Sequence, residues 1–366
     1  IYHRIAGREE THTVPMPDHA TAFREVMKLL ERTPELKPDA LGHRVVHGAA
    51  IFKDHTLVDD DTIAGLEKTL HLAPIHNPPA VTLLKACYQM YPELPESVVF
   101  DTSYHSTMPA HASTYALPRS LREDEGIRKY GFHGTSHRFV VQEAARFLNI
   151  PLDRFNGVSC HLGSGGASLC AVVGGRSMDN TMGYSPLQGL MMSTRSGDLD
   201  PAIVLRLLAQ SGGNADAVEK KLNRKSGVLG MSGVSSDIRD IFKMMNSGDE
   251  VSEQLNRTSS LYIWRLRKYL GAYLSVVGRA DAVIFTDTIG ETMPQVRWMV
   301  CADMDVFGIR MDMEKNDNVT SWPVDVAAPD SPVRLLVIRT NEELAIARET
   351  WQLLQGGSPD AMKGVA

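Results

Sequence analysis

The chain has 366 residues, a formal net charge of −6 and four scattered cysteines, and its length suits two domains with ample apolar cores. The acidic balance without any Lys/Arg-rich run argues against nucleic acid or an anionic membrane surface as the main partner, and no apolar run reaches the roughly 18 residues of a membrane span. Because no CxxC pair occurs, we expect reduced thiols and neither a zinc site nor a disulfide framework. With no such apolar run and no signal-peptide pattern, we expect a cytoplasmic location.

The first part of the chain alternates helix and strand. Apolar residues at helical spacing predict helices over residues 20–30 and 79–88. Apolar runs predict strands over residues 40–46 and 97–100, and the second strand ends at Asp101. A carboxylate at the end of a strand is a candidate functional group.

A second α/β block follows the first. Its predicted elements, in chain order, are strands 157–162 and 167–173, helices near 201–210 and 216–222, a long helix from about 250 to 277, strand 282–286, an irregular stretch 316–332, strand 333–338 and helix 341–354. This order predicts two α/β domains, 1–102 completed by 342–358, and 103–341. A ligand is expected in a cleft between them.

The segment YGFHGTSH (130–137) sets a histidine between two glycines and follows it with a helix start. We predict that Thr135 or Ser136 caps a helix that runs on to Phe147, so that His133 lies in the turn at the positive end of the helix. A turn of that kind suits a phosphate group. The alternative is a histidine held by a neighbouring carbonyl in an ordinary loop.

Two arginines lie where an unpaired charge is costly. Arg44 falls within an apolar strand in HRVVHG, and Arg195 lies in the turn STRSGD with hydroxyls on both sides. We expect each guanidinium to need an anion. A structural salt bridge is the alternative for each of them.

Glycine-rich turns and isolated carboxylates complete the set of candidate groups. The turn 163–166 follows a strand, and the loop 227–237 opens a helix; either can approach phosphate, although hairpin turns use glycine as often. Asp101 and Glu342 can hold a magnesium ion, or Glu342 can be an ordinary carboxylate of a helix N-terminus. Together with the arginines and His133, these groups are those that phosphoryl transfer needs.

Seven blocks of the sequence resemble the acetate and propionate kinase family: HRVVHG (43–48), PIHNPP (74–79), VFDTSYHSTMP (99–109), YGFHGTSH (130–137), PLQGLMMSTRSGDLDP (186–201), SGVLGMSGVSSDIRD (226–240) and TNEELAIAR (340–348). They occur in the family's order and span nearly the whole chain. The resemblance implies the two-domain α/β fold of the acetate and sugar kinases, heat-shock ATPases and actin, a homodimer, and direct in-line phosphoryl transfer between ATP and a short carboxylate.

The resemblance also implies roles for the charged residues. Arg44 and Arg195 resemble the arginines that hold the carboxylate and the transferring phosphoryl group. His133 resembles the histidine that donates a hydrogen bond to that phosphoryl group when it is trigonal, between donor and acceptor. Asp101 and Glu342 resemble the carboxylates at Mg²⁺, which Mn²⁺ can replace.

The acid itself is expected to meet an apolar wall. Val46, Ile75, Phe132 and Pro186 match the family positions around the methyl group of the acid, and His76 resembles a supporting histidine. Relatives that prefer propionate tend to carry alanine in place of Val46. We therefore expect a modest preference for acetate, because one methylene group is worth roughly 1–3 kcal/mol. A polyol would find no polar partners at this wall, which disfavours a sugar-type kinase or phosphatase.

The resemblance implies that ATP and ADP bind in the second domain. The residues at the matching positions are His161, Gly163, Ser164, Gly165, Asp237, Ile238, Arg239, Thr288 and Gly290.

The chain departs from the family pattern at three places. Nothing matches the opening strand and the Asn-x-Gly-Ser-Ser-Ser-x-Lys phosphate loop, so we expect an N-terminally truncated chain that lacks the first strand or strands of its first domain. Ser164 replaces an asparagine, and Thr288 replaces a glycine at which we expect close approach or positive φ. The alternative to an active kinase is therefore a non-catalytic nucleotide-binding or dimerising remnant.

Overall fold

The computed structural model of the chain describes residues 2–5, 8–11, 13–32, 36–73, 76–245 and 253–356. The chain divides into two compact units, the first formed by residues 1–100 and 346–366 and the second by residues 101–345. Both units mix strands and helices. The α/β fold class predicted from the sequence is confirmed.

The first unit contains a small mixed sheet. Strands β3 (Leu41–Val45) and β5 (Glu96–Phe100) pair in parallel, and β4 (Thr56–Leu57) pairs antiparallel with β5. At the start of this unit, β1 (Tyr2–Ile5) and β2 (Arg8–Thr11) pair as a separate antiparallel hairpin. Its helices are α1 (His19–Glu31), α2 (Asp60–Glu67) and α3 (Asn77–Met90).

Aspartates and apolar side chains explain the helices of this unit. Asp18 and Asp59 accept from the backbone amides of Thr21 and Thr62, at 2.6 Å and 2.7 Å, and so cap α1 and α2. The buried core joins side chains of the sheet and of α2 and α3: Val45, Leu66, Val81, Leu84, Val98 and Phe100.

The second unit is built on a six-stranded sheet. Its strands are β6 (Gly157–Leu162), β7 (Ala167–Val173), β8 (Arg176–Asn180), β9 (Ala282–Thr286), β10 (Val324–Asp325) and β11 (Arg334–Val337). The spatial order is β10-β11-β9-β6-β7-β8. The β11–β9 and β9–β6 pairs are parallel and the other pairs are antiparallel.

Helices surround this sheet. They are α4 (Ala110–Ser113), α5 (Arg119–Glu123), α6 (Gly134–Phe147), α7 (Pro201–Gln210), α8 (Ala215–Arg224), α9 (Gly227–Ser232), α10 (Ile238–Met245), α11 (Glu253–Val277), α12 (Asp287–Thr292), α13 (Pro294–Cys301) and α14 (Met313–Asp317), followed by α15 (Glu342–Leu354), which continues into the first unit. Helix α6 packs on β6 and β9, and α11 packs on β6 and β7. The sheet is therefore buried at its centre, where β6 is buried at every residue.

The periodicity of the sequence predicted the strongest elements well. The bounds of β6, β7, β9 and α7 agree with the predictions to the residue. Strand β8 was missed because its sequence RSMDN has no apolar alternation, and it forms by pairing with β7. The segment predicted to be irregular contains the last two residues of α14 and all of β10. Residues 250–252 of the predicted long helix lie outside the described residues.

All four cysteines are buried and free: Cys87, Cys160, Cys170 and Cys301. No helix within the described ranges combines the length and the hydropathy that crossing a membrane requires.

Candidate active site

The histidine of YGFHGTSH adopts a backbone conformation that few non-glycine residues adopt. His133 has φ 58° and ψ 26°, in the left-handed region, and α6 begins at the next residue. The prediction that Thr135 or Ser136 caps this helix is wrong, because both lie inside its first turn. The amide of Gly134 instead donates to the carbonyl oxygen of Asp101 at 2.9 Å. The helix starts early because a distant carbonyl satisfies its first amide.

Asp101 is held against the same helix start. Its carboxylate is buried and accepts from the Thr135 hydroxyl at 3.4 Å. A methyl carbon built on Gly134 would lie 2.2 Å from the Asp101 carbonyl oxygen, so only glycine allows this approach. The structure thus brings the predicted Asp101 next to the predicted His133.

The glycine-rich turn 163–166 joins the antiparallel strands β6 and β7 and is therefore a hairpin turn. The amide of Gly163 donates to the carbonyl oxygen of Gly166 at 3.0 Å, and Ser164 and Gly165 are exposed at the tip. The Ser193 hydroxyl donates to the carbonyl oxygen of Gly165 at 3.0 Å. The turn is therefore tied to the STRSGD loop.

Arg195 and His133 converge on this turn. A methyl carbon built on Gly166 would lie 3.3 Å from Nε2 of His133 and 3.4 Å from Nη1 of Arg195. Both nitrogens thus lie within hydrogen-bonding range of an anion placed beside Gly166.

Arg195 is not a salt-bridge arginine in the part of the chain that the structure describes. Its side chain is half-buried, and its hydrogen-bond partner there is the Sδ of Met192 at 3.9 Å. Burial lowers the pKa of the guanidinium. A desolvated cation without a carboxylate partner is costly, so the site favours an anionic ligand.

A second histidine lies against the first. The rings of His133 and His161 have centroids 4.2 Å apart, and Nε2 of His161 lies 3.0 Å from Oδ2 of Asp287. Asp287 is the first residue of α12, directly after β9, and has φ 63°. Of the two expectations for position 288, close approach or positive φ, the positive φ is wrong, because it occurs one residue earlier at Asp287. The amide of Thr288 donates to Asp287 Oδ1 at 2.5 Å.

Asp287 remains ionised well into acid. Burial alone would raise the pKa of its carboxyl, but the hydrogen bond and charge of His161 and the bonds from Thr288 outweigh burial and hold the pKa well below its usual range. A methyl carbon on Gly163 would lie 2.5 Å from Asp287 Oδ2, so glycine lets the turn and the carboxylate meet. The Asp287 carboxylate therefore adds a negative charge beside His161 and Gly163, which are expected to meet the nucleotide phosphates.

We expect Asp287→Asn to lower the free energy of unfolding at pH 7 by about 1.5–3 kcal/mol, the usual contribution of hydrogen bonds to a charged group. Asparagine tolerates positive φ, so this substitution removes the negative charge of the side chain and keeps the backbone conformation. Because the folded-state pKa is depressed, the stabilisation is present above the ordinary carboxyl pKa and is lost as the pH falls below it. Urea unfolding at pH 7 and below pH 4 checks this; an equal difference at both would contradict it.

The segment that carries Glu342 reaches the same region. The Thr340 hydroxyl lies 3.0 Å from the Ser136 hydroxyl, which lies 2.9 Å from Nδ1 of His161. The Thr340 amide donates to the Glu291 carboxylate at 3.2 Å. Glu342, half-buried in the first turn of α15, follows two residues later.

The oxygen donors of this region fit magnesium. No group of three or more His, Cys, Asp or Glu side chains forms a metal cluster in the described ranges. Mg²⁺ is usually held by one or two carboxylates together with phosphate oxygens and water. The buried Asp101 and the half-buried Glu342 supply that kind of donor set.

The predicted nucleoside positions form an internal ion pair. Arg239 Nε donates to both oxygens of Asp237 at 3.0 Å, and this pairing lowers the pKa of Asp237 and raises that of Arg239. Ile238 between them is buried. Gly290 lies in α12, and Nη1 of the buried Arg297 donates to its carbonyl oxygen at 2.9 Å.

The remaining predicted residues belong to the first unit. Arg44 is exposed in the alternating part of β3, so the predicted cost of leaving its charge without an anion does not apply there. Val46 is half-buried, and His76 is exposed at the start of α3. Ile75 lies outside the described residues. In the second unit, Phe132 is buried and Pro186 is half-buried.

Sequence reasoning missed several polar residues that organise the site. Ser168 lies 2.8 Å from both His133 and His137, and Asp287 pairs with His161. A carboxylate in the FTDTIGET segment (285–292) was the available signal for Asp287. Ser168 on a buried strand gave no comparable signal.

Cationic and N–H donors meet here at a glycine turn, with carboxylates suited to a divalent cation nearby, which is the arrangement that a phosphotransferase needs. The model of the Acetokinase family matches residues 2–348 of the chain. The chain therefore belongs to the acetokinase family.

Named relatives agree with this assignment. The acetate kinase of Acetivibrio thermocellus is 44% identical over 344 residues, which cover 92% of this chain and 85% of that protein. The crystal structure of Porphyromonas gingivalis acetate kinase matches with a TM-score of 0.87 and 36% identity, covering 95% of this chain and 88% of that one. A propionate kinase of Francisella tularensis matches with a TM-score of 0.86 and 34% identity, covering 94% and 87%. The predicted family and two-domain fold are confirmed.

Proposed function

We propose that the chain transfers the γ-phosphoryl group of ATP directly to the carboxylate of acetate or propionate, giving an acyl phosphate and ADP in a reversible reaction. The family match and the relatives named acetate or propionate kinase support this activity. One observation carries it: Nη1 of Arg195 and Nε2 of His133 converge beside Gly166, and Arg195 has no carboxylate partner among the residues that the structure describes.

The chemistry follows from charge placement. A carboxylate oxygen of the acid attacks the γ-phosphorus, and the bond to the bridging oxygen breaks as ADP leaves. Arg195 and His133 would donate to the equatorial oxygens, and Arg44 would hold the acid carboxylate. Such donors stabilise charge where it develops and need no covalent intermediate. Asp101 and Glu342 would hold Mg²⁺ or Mn²⁺, which neutralises phosphate charge when bound.

We place the nucleotide on the second unit. The turn 163–166 and His161 would face the phosphates, Asp237 and Arg239 would contact the nucleoside, and Gly290 would allow close approach of the base. The exposure of Ser164 and Gly165 at the tip of the turn supports access to a ligand.

We also propose a preference for acetate. Val46, Ile75, Phe132 and Pro186 would surround the methyl group of the acid, as the family resemblance implies. Valine in place of alanine at position 46 leaves less room for the extra methylene of propionate, which favours acetate by roughly 1–3 kcal/mol.

Hydroxylamine trapping tests the activity. The purified protein with ATP, Mg²⁺ and acetate, propionate or butyrate is expected to yield hydroxamate, most rapidly with acetate. No hydroxamate with any of the three acids would reject the proposal, and ATP binding without turnover would identify a non-catalytic nucleotide-binding protein. A faster reaction with propionate would reject the acetate preference alone.

Gly166→Ala is expected to lower kcat/KM at least about tenfold, since the methyl group enters the space between the two donors. The backbone at Gly166 does not have positive φ, so the melting midpoint should change little. Gly165→Ala is the comparison, because a methyl carbon there has no other atom within 4 Å. An equal loss of activity in both variants would mean that the turn as a whole, not the space between the donors, is what matters.

A homodimer is part of the proposal. Helix α7 carries the sequence PAIVLRLLAQ, yet none of its residues is buried, and Leu205 is 67% exposed. An apolar helix without cover is typical of an interface. A second copy of this chain would cover it, in keeping with the family resemblance.

Leu205→Glu is expected to convert a dimer to a monomer, because a buried carboxylate at an apolar interface is costly. Light scattering coupled to size-exclusion chromatography measures the mass. Val306→Glu, at an exposed residue outside α7, is the control and should leave the mass unchanged. A monomeric wild-type protein, or a dimeric Leu205→Glu variant, would contradict the proposed interface.

We propose a cytoplasmic location, which the four free buried thiols support, because disulfides persist in oxidising compartments. Cell fractionation with an antibody to the chain tests it.

A further inference from the structure

A line of buried side chains leads to the inner nitrogen of His133. Nδ1 of His133 lies 2.8 Å from the Ser168 hydroxyl, and the same hydroxyl lies 2.8 Å from Nε2 of His137. Nδ1 of His137 lies 2.9 Å from the Ser159 hydroxyl. Ser159, His137 and Ser168 are fully buried. The directions of these hydrogen bonds therefore decide which nitrogen of His133 carries a proton.

His137 carries one proton. Burial lowers the pKa of His137 well below its usual value, and the neighbouring His105 and His161 lower it further. A neutral imidazole has one N–H donor and one bare acceptor nitrogen, so it donates to one serine and accepts from the other.

Ser159 selects the direction. Among the described residues, its hydroxyl has one hydrogen-bond partner, Nδ1 of His137. If that nitrogen carried the proton, the O–H of Ser159 would be buried without an acceptor, which folded proteins avoid. Ser159 therefore donates to Nδ1 of His137, and the proton of His137 lies on Nε2.

The remaining directions follow in turn. Nε2–H of His137 donates to Ser168, whose single hydroxyl proton is then directed to Nδ1 of His133. With Nδ1 accepting, a neutral His133 carries its proton on Nε2. A doubly protonated His133 would leave the Ser168 proton without an acceptor at a fully buried site, so the chain of bonds also favours the neutral ring.

We propose that Ser159, His137 and Ser168 form a buried hydrogen-bond chain that holds His133 as the neutral tautomer protonated on Nε2. This places an N–H donor on the nitrogen that approaches Gly166 beside Arg195. The three residues are positioning residues, and their effect on turnover rests on the proposed function. With the other tautomer, Nε2 would present a lone pair to a phosphoryl oxygen and repel it. A wrong histidine tautomer costs about 10⁴ in kcat in a serine protease.

Nitrogen NMR tests the tautomer without any need for turnover. In protein labelled with ¹⁵N-histidine, the His133 resonances are assigned by their loss in His133→Asn. We expect a bare Nδ1 and a protonated Nε2 in the wild type at neutral pH, and a mixture of both tautomers in Ser168→Ala. Ser177→Ala is the matched control, because it removes a buried hydroxyl 2.8 Å from Nδ1 of His105 and should leave the His133 signals unchanged.

Kinetics then test the consequence. Ser168→Ala is expected to lower kcat at least about tenfold with little change in KM, and Ser168→Thr, which keeps the hydroxyl, should restore most of kcat. A wild-type His133 protonated on Nδ1, or the same tautomer in Ser168→Ala as in the wild type, would overturn the proposal. A protein that forms no acyl phosphate but shows the expected tautomer would reject the proposed function and leave the hydrogen-bond chain standing.

Discussion

Arg195→Ala should lower kcat for acyl phosphate formation by about 10²–10³-fold, the usual effect of losing one donor to developing charge. Its melting midpoint should equal or exceed that of the wild type. The reason is that Arg195 is half-buried with no carboxylate partner within the described ranges. Burying its charge therefore lowers the stability of the folded protein, and only a bound anionic ligand offsets that loss. Steady-state kinetics and thermal unfolding of the same preparations measure both effects.

Two further variants sharpen the test of Arg195. Arg195→Lys keeps one positive charge but loses the planar fork of donors, so its kcat should fall between those of the wild type and the alanine variant. Arg310→Ala is the control, because Arg310 is a surface residue of the second unit that pairs with Asp305 and Asp330. A stability loss in Arg195→Ala larger than in Arg310→Ala, with activity retained, would show a structural arginine instead.

His133→Asn should also lower kcat by about 10²–10³-fold while leaving the fold intact. His133 has φ 58°, and asparagine is among the few residues that adopt this conformation readily. The variant therefore keeps the backbone but loses the donor that reaches the space beside Gly166. Comparison of kcat at saturating ATP and acetate measures the effect.

His133→Gln distinguishes a hydrogen-bond donor from an acid or base. The glutamine amide nitrogen reaches about as far as Nε2 of histidine but does not titrate, so this variant should retain more activity than His133→Asn, with a pH profile like that of the wild type. If instead both variants are equally inactive and lose the pH dependence of the wild type, His133 exchanges a proton during the reaction.

Local patterns predicted much of the architecture. Strands β6, β7 and β9 are rich in apolar residues, as expected for strands that are buried along almost their whole length. Helix α7 has proline at its first position and is capped by Asp200, which accepts from the Ala202 amide at 2.9 Å. The residues that give such signals lie within a few positions of each other, so these elements can be predicted from the sequence.

The candidate site was predicted as a set of residues but not as an arrangement. The roles proposed for Arg195, His133 and Glu342 followed from a family resemblance. Arg44 falls within an apolar stretch of sequence, but it is exposed because β3 alternates between half-buried and exposed residues. The helix start at Gly134 was also missed, since the carbonyl that satisfies its amide belongs to Asp101.

The sequence by itself determined the order of the main strands and helices, the acetokinase family and the residue types that phosphoryl transfer needs. Only the tertiary structure decided that Arg195 and His133 meet at Gly166, that Asp287 pairs with His161, and that buried serines orient the histidines. The reason is physical. Periodicity and caps act over one or two turns of the chain, but a hydrogen bond such as that of Ser168 with His133 joins residues 35 positions apart, and its existence depends on how the sheet and α6 pack.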